Sequence, residues 1–178
     1  MKYTELRTKR LELCPHGMKY LATTYEYSSD VENTKYMAFL PDFSIEETKT
    51  FLTECDAQWE KEEPEFLEFA VLRDGIHIGA VGIYWNEIRD TLELGWILHP
   101  AYHGRGYISE AAKAVIEFAK TQFGVCHFIA HCDTENAASR RVMEKLGLEL
   151  VQRSGGRRNK GSDQERWDYL YEAIWDRG

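Results

Sequence analysis

Apolar residues recur along this chain with two periods, and the switches between them lay out its elements. Arg10 to Cys14 alternates polar and apolar, as a half-buried strand does, and Pro15 and His16 end it. Met18, Leu21, Ala22 and Tyr25 fall at helical spacing and predict a first helix over 17–28. Residues 33–43, interrupted by Pro41, read as a loop or a broken helix. Ile45, Thr48, Phe51, Leu52, Cys55 and Trp59 share one face of a second helix over 45–62, opened by a capping box of Ser44 and Glu47. Three strands follow, at 66–72, at 76–85 (thinned by Gly79 and Gly82) and at 91–98. Turns at 73–75 and 86–90 join them into a meander. A glycine-rich turn then leads straight into a long helix with Ile108, Ala112, Val115, Ala119 and Phe123 on its buried face and Gly124 as its C-cap. The nearly unbroken apolar run 125–132 predicts a strand covered on both faces. A helix over 136–146 stops at Gly147, and a short strand takes 148–151. Residues 153–163 read as a flexible basic loop, and 167–175 closes the sheet. With no repeat and no linker, this order predicts one α/β domain over 1–178, a mixed sheet flanked by helices.

Composition narrows the function. The chain has 178 residues, enough for a real core without staples. Its 22 basic and 30 acidic groups give a net charge of −8, which disfavours nonspecific nucleic-acid binding. Residues 1–98 carry 19 acids and 10 bases, residues 99–178 carry 11 acids and 12 bases. Two readings of this split stand open: an anionic ligand on the second half and a cationic one near the first, or acids that simply keep the protein soluble. Cys14, Cys55, Cys126 and Cys132 have no CxxC spacing and read as reduced, partly buried residues. Scattered histidines and carboxylates lack metal-ligand spacing, so no metal is expected. No apolar run approaches a membrane span, and the basic start MKYTELRTKRLEL is followed by no apolar core. No membrane association and a cytoplasmic location are the expectations.

Two stretches carry chemistry. In HPAYHGRGYISE (99–110) a strand ends, Gly104 and Gly106 make a turn, and a helix starts at once. Such glycines let consecutive backbone N–H groups converge as a nest, and the free N–H groups of the first helical turn add to it. This is a pyrophosphate cradle, to which Arg105 can add charge unless its side chain faces water. It is neither a GxGxxG fingerprint nor a Walker loop. In DTENAASRRVMEKLGL (133–148) Asn136 opens a helix directly after a buried strand, with Ser139 one turn on. Asn136 can be a simple N-cap or can line the gap between the two strand–helix units.

These stretches, with Thr8-Lys9-Arg10-Leu11-Glu12-Leu13 at the front, resemble the GCN5-related N-acetyltransferase family, most of all its ribosomal-protein N-terminal (alanine) acetyltransferase branch. The resemblance covers nearly the whole chain. It implies a mostly antiparallel, V-shaped sheet of six or seven strands, the acyl-CoA N-acyltransferase fold, with acetyl-CoA entering between 91–98 and 125–132. It maps the pyrophosphate loop onto His103, Gly104, Arg105, Gly106 and Tyr107, and the pantetheine arm onto Gly95, Trp96, Ile97 and Leu98. Asn136, Ser139 and Lys145 complete the implied cofactor set. Two positions depart from the family: Ala101 stands where glutamine or arginine is common, and Met143 where many relatives carry a tyrosine that protonates the thiolate. Ser139 is the implied substitute, and backbone N–H groups at Ile97 or Leu98 are the implied oxyanion donors. Glu93, two residues before Gly95 and on its side of the strand, is the first choice of base. Glu68, His131 and Glu110 are alternatives, and a cross-strand structural role for Glu93 stays open. His127, Cys132 and the tryptophans read as wall or core. The implied reaction is acetyl transfer from acetyl-CoA to a primary amine by direct attack in a ternary complex. The acceptor is a protein or peptide N-terminal α-amine. A small amine metabolite or aminoglycoside, or a catalytically silent acyl-CoA-binding domain, are the alternatives. Residues 17–64 and 153–163 should wall the acceptor, in a monomer or homodimer.

Overall fold

The computed structural model describes residues 5–175. The first strands are β1 (Leu6–Arg7) and β2 (Glu12–Pro15). A 3-10 turn at Met18–Tyr20 leads into α1 (Leu21–Ser28), followed by α2 (Val31–Thr34) and α3 (Ile45–Glu60). The meander is β3 (Phe66–Arg73), β4 (Ile76–Trp85) and β5 (Thr91–Leu98). Then come α4 (Tyr107–Phe123), β6 (His127–Asp133), α5 (Ala137–Leu146), β7 (Glu149–Arg158) and β8 (Glu165–Ile174). Among the described residues, these eight strands form one sheet in the order β1-β2-β3-β4-β5-β6-β8-β7. Every pairing is antiparallel except β5 with β6. The architecture is the one the pattern predicts, with an eighth strand supplied by the two-residue β1.

The parallel pair positions the site. β5 pairs with β4 from Leu92 to Leu98 but with β6 only at Thr91–Glu93, so the two strands part beyond Glu93. α4 packs on β4 and β5 through Ile108, Ala111, Ala112, Val115 and Ala119, all buried. Small residues on that face let the helix lie close to the sheet and carry its N-terminus to the mouth of the split. On the other side, α1 packs against β4 and α3 against β3. Ser44 caps α3 by accepting the Glu47 N–H. The reciprocal half of the capping box is absent: the Glu47 carboxylate accepts from Phe43 N and pairs with Lys160.

Two expectations need correction and one is sharpened. Residues 153–163 are not one flexible loop. β7 runs on through Arg158 beside β8, absorbing irregularities at Val151 and at Gly155-Gly156, where Gly156 has φ +84°. Glycine there permits a bulge where it reads as a break. Residues 33–43 begin in a helical turn, α2, capped by Asp30 through the N–H groups of Glu32 and Asn33, and run on as a loop. Among the tryptophans, Trp59 is buried but Trp167 is 50% exposed on the outer strand pair, with Arg153 stacked on it.

Candidate active site

A cleft of about 640 Å³ opens where β5 and β6 separate. Glu93 to Leu98 form one wall, His131 and Cys132 another. The ends of α4 and α5, the segment 36–40, Asn33 and Arg157 complete it. The His99 N–H donates to Ile78 O across β4, so by the two-residue alternation of a strand Gly95 and Ile97 also turn their peptide groups to β4. Trp96 and Leu98 turn theirs to the split. Of the two oxyanion donors expected, Leu98 N–H therefore faces the cleft and Ile97 N–H does not. The Leu98 carbonyl accepts from Asn33 Nδ2 at 3.2 Å and from His103 at 3.0 Å, tying the acceptor-side helices and the glycine turn to the same strand end.

At one end of the cleft lie His103, Gly104, Gly106 and Tyr107, the start of α4. Gly104 and Gly106 have φ +74° and +76°, where side chains are strained, and a Cβ on Gly104 would meet no protein atom within 4 Å. Open space beside Gly104 thus lies at the positive end of a 17-residue helix, whose first N–H groups have no intrahelical partners. Such a turn at a helix start suits an anion such as a pyrophosphate. The segment before β2 braces the turn from behind. The Glu110 carboxylate accepts from Thr8 Oγ1 at 2.6 Å and from Arg10 N and Nε at 2.9 and 2.6 Å. Arg10 also donates to Arg105 O and stacks on the Tyr107 ring. Burial pushes the Glu110 carboxyl up, but these donors outweigh it and hold it below the usual range. Glu110 braces the turn and is not among the cleft residues. The Arg105 side chain is exposed and is not among the cleft residues, against the expectation that it adds charge there.

α5 supplies the opposite lip. Asn136 is its N-cap, accepting the Ser139 N–H at 3.1 Å, and both side chains also line the cleft. The two readings of Asn136 hold together. Lys145 lines it too, as does Arg141, which the sequence reading missed although it stands one helical turn before Lys145. Met143 is fully buried in the core and faces no ligand.

The acceptor end gathers residues from five elements. Glu93 pairs in register with Tyr84 and with Ile129, and His131 follows two residues beyond Ile129 on the same face. Solvent reaches the Glu93 side chain through the cleft, yet protein closes around it. Desolvation raises its carboxyl above the usual value, partly offset by His131 and Arg157. Glu68 lies deeper, buried and bonded to the Tyr84 hydroxyl, with its carboxyl pushed by burial to about 7. It is not among the residues that line the cleft. Gly82 and Gly95 leave room for this pair: a Cβ on Gly82 would strike the Glu68 carboxylate, and one on Gly95 would crowd the Tyr84 ring. His127 sits outside the cleft, bridging Thr91 and Glu172. Cys132 lines the cleft but is buried, and desolvation lifts its thiol to about 11. The outer rim is apolar, with Met37, Leu40 and Phe39, the last 88% exposed.

A split between parallel strands, with an anion cradle at one end and desolvated bases at the other, defines a class of enzyme that moves an acyl group off coenzyme A. The family model for the acetyltransferase (GNAT) domain matches residues 10–149, and the chain belongs to this family of acetyl-CoA-dependent N-acetyltransferases. The uncharacterized N-acetyltransferase YnaD of Bacillus subtilis (strain 168) is 33% identical over 175 residues, covering 95% of both chains. The GNAT-family acetyltransferase from Bacillus anthracis has a similar structure, with TM-score 0.80 and 26% identity over 96% of this chain and 98% of that one. RimL, a ribosomal L7/L12 alpha-N-protein acetyltransferase in complex with coenzyme A, matches at TM-score 0.83 over 98% of this chain and 100% of that one, with 14% identity. Acetyl-CoA is the acetyl donor.

Proposed function

We propose that the enzyme acetylates the N-terminal α-amine of a peptide or protein by direct attack in a ternary complex. The observation that carries this reading is the continuity of the cleft. The glycine cradle and Glu93 open into one cavity, so donor and amine can meet without a covalent relay. Cys132, the one thiol among the described cleft residues, argues the same way. A thiol lifted to about 11 is almost wholly protonated at neutral pH and makes a poor acyl carrier. In this scheme the pantetheine arm lies along Trp96 and Leu98, and Leu98 N–H steadies the tetrahedral oxyanion. Ser139 donates a hydrogen bond to the departing thiolate, and Glu93 holds the incoming ammonium. The apolar rim of Met37, Phe39 and Leu40 suits the residue that follows a peptide's amine. The exposed Glu93 carboxylate equally suits a compact polyamine or aminoglycoside, which is the second reading.

The test is release of free thiol from acetyl-CoA across peptides of varied first residue, polyamines and aminoglycosides, with the product located by mass spectrometry. Turnover of blocked-lysine peptides with label on the α-nitrogen is expected. Turnover confined to small polyamines would replace the peptide reading. Cys132→Ala with undiminished turnover is expected for direct attack, whereas a trapped acetyl-Cys132 would overturn it.

A further inference from the structure

Beyond the roles assigned to Glu93 and Ser139, the acceptor end holds a chain of three groups that runs from the cleft into the protein. His131 Nδ1 lies 2.6 Å from Asp168 Oδ2, and Asp168 Oδ1 lies 2.6 Å from Arg157 Nη1. Asp168 is buried, and Arg157 is nearly so. Arg157 is fixed in turn: its Nη2 donates to Tyr36 O and its Nε to Asn159 Oδ1, both at 2.9 Å. A carboxylate held by a guanidinium is ionised and can only accept, so the proton of neutral His131 must sit on Nδ1. Nε2 is then the unprotonated nitrogen of a half-exposed ring that lines the cleft. This is the orienting logic of an Asp–His pair, in which a buried carboxylate sets the tautomer and aim of the imidazole.

We infer that His131 is the general base for the amine, with Asp168 and Arg157 as its positioning residues. The inference rests on the N-acetyltransferase reading of the same cleft and moves the base role from Glu93 to His131. An imidazole stands nearer than a carboxylate to the pKa of the ammonium it must deprotonate, about 8 for an α-amine, and so transfers the proton more readily. The groups facing His131 are Glu93 on β5, Asp168 on β8 and Arg157 on β7, with Ser139, Arg141 and Lys145 across the cleft on α5. The bond to Asp168 raises its pKa first, Glu93 adds to this, and burial and Arg157 oppose it. The substrate class follows: an amine that arrives as ammonium, is held by Glu93 and gives one proton to Nε2. The freed nitrogen lone pair attacks the thioester carbonyl, and the C–S bond breaks. The second amine proton ends on the coenzyme A thiolate, while the proton on His131 returns to solvent.

The experiment measures kcat/KM against pH for wild type, His131→Gln and Asp168→Asn, with acetyl-CoA affinity by calorimetry as the check on folding. His131→Gln should lose about 10²-fold or more near neutral pH at unchanged acetyl-CoA affinity, with free imidazole restoring part of the turnover of His131→Ala. Asp168→Asn should lower the rate and shift the acid limb to lower pH, because the group that raises the His131 pKa is gone. Should Asp168→Asn fail to fold, a nitrogen-15 titration of wild-type His131 decides. A neutral ring protonated on Nδ1 and titrating above an ordinary histidine supports the inference, and one protonated on Nε2 overturns it. A less than threefold loss in His131→Gln with an unmoved acid limb also overturns it while leaving the acetyltransferase reading intact. Absence of wild-type turnover on every amine would overturn both.

Discussion

Glu93 and Ser139 approach the reacting atoms from opposite sides of the split, and their substitutions should fail differently. Glu93 offers charge to an ammonium before reaction, so Glu93→Gln should raise KM for cationic acceptors about tenfold, the order of one charge-assisted hydrogen bond. The effect should show in KM rather than kcat and shrink with salt. Its pH dependence has a definite sign. The Glu93 pKa is raised, by desolvation first, so the wild-type advantage should fade as acid neutralises the carboxylate, starting at a higher pH than for a free glutamate. An equal KM for matched cationic and neutral acceptors in wild type would remove this role. Ser139 acts late, on a thiolate whose parent pKa near 8.5 makes it a fair leaving group unaided. Ser139→Ala should therefore cost about tenfold in kcat, below the usual range for a general acid. A silent Ser139→Ala would leave the thiolate to solvent. Both side chains were legible from sequence because each stands at fixed spacing from a marked backbone feature, Gly95 on β5 and Asn136 at the start of α5. Asp168 and Arg157 were not. Their significance lies in partners 37 and 11 residues away along the chain, and no local periodicity encodes such a pairing.

At the scale of elements, the β5–α4 junction combines two demands on glycine that a control can separate. Gly104, Gly106 and Gly124 all have φ between +64° and +76°, so a β-branched side chain strains each, by about 1–2 kcal/mol. Gly104 and Gly106 alone border the cleft, while Gly124 caps the far end of α4. Gly104→Val and Gly106→Val should abolish measurable acetyl-CoA binding at modest loss of stability, and Gly124→Val should lose stability yet keep full affinity. Calorimetry with thermal unfolding reads both quantities, and equal affinity loss in all three would make the junction a structural turn only. Helices and meander strands were readable because period 3.6 or period 2 persists over each whole element. The second part of β7 was not, because RSGGRR (153–158) carries no period. Its strand exists through pairing with β8, the burial of Arg157 against Asp168, and a bulge that glycine allows. The acceptor wall was expected from 17–64 and 153–163, and the cleft does take 36–40 and Arg157 from them, but how they are held was not legible. The segment 36–40 owes its position to distant partners, through Arg157 on Tyr36 O and Lys160 N on Met37 O.

Across the whole molecule, three titratable groups buried between the sheet and its N-terminal helices set how stability follows pH. His16 and His77 lie with ring centroids 5.2 Å apart, bonded to Thr24 and Thr23. Burial lowers their pKa values to about 3 and about 4, against 6.5 for an unfolded histidine. Below pH 6.5 the unfolded chain therefore takes up protons that the folded one refuses, and each histidine makes stability fall as pH falls. Glu68 has the opposite sign. Its pKa is raised by burial to about 7, so the folded chain holds a proton that the unfolded one has released, and stability falls as pH rises from 4.5 to 7. Near pH 5 the unfolded state binds nearly two extra protons at the histidines and the folded state about one at Glu68. The difference of about one proton gives these groups a slope of about 1.4 kcal/mol per pH unit, rising with pH. Glu68→Gln should bring the slope close to two protons, and His77→Gln should bring it close to zero. Differences between variants cancel the shared contributions of Glu93, His131 and the surface carboxylates. Urea denaturation at half-unit steps of pH measures all three slopes. Parallel lines for wild type, Glu68→Gln and His77→Gln would mean that the buried groups titrate as they do in the unfolded chain.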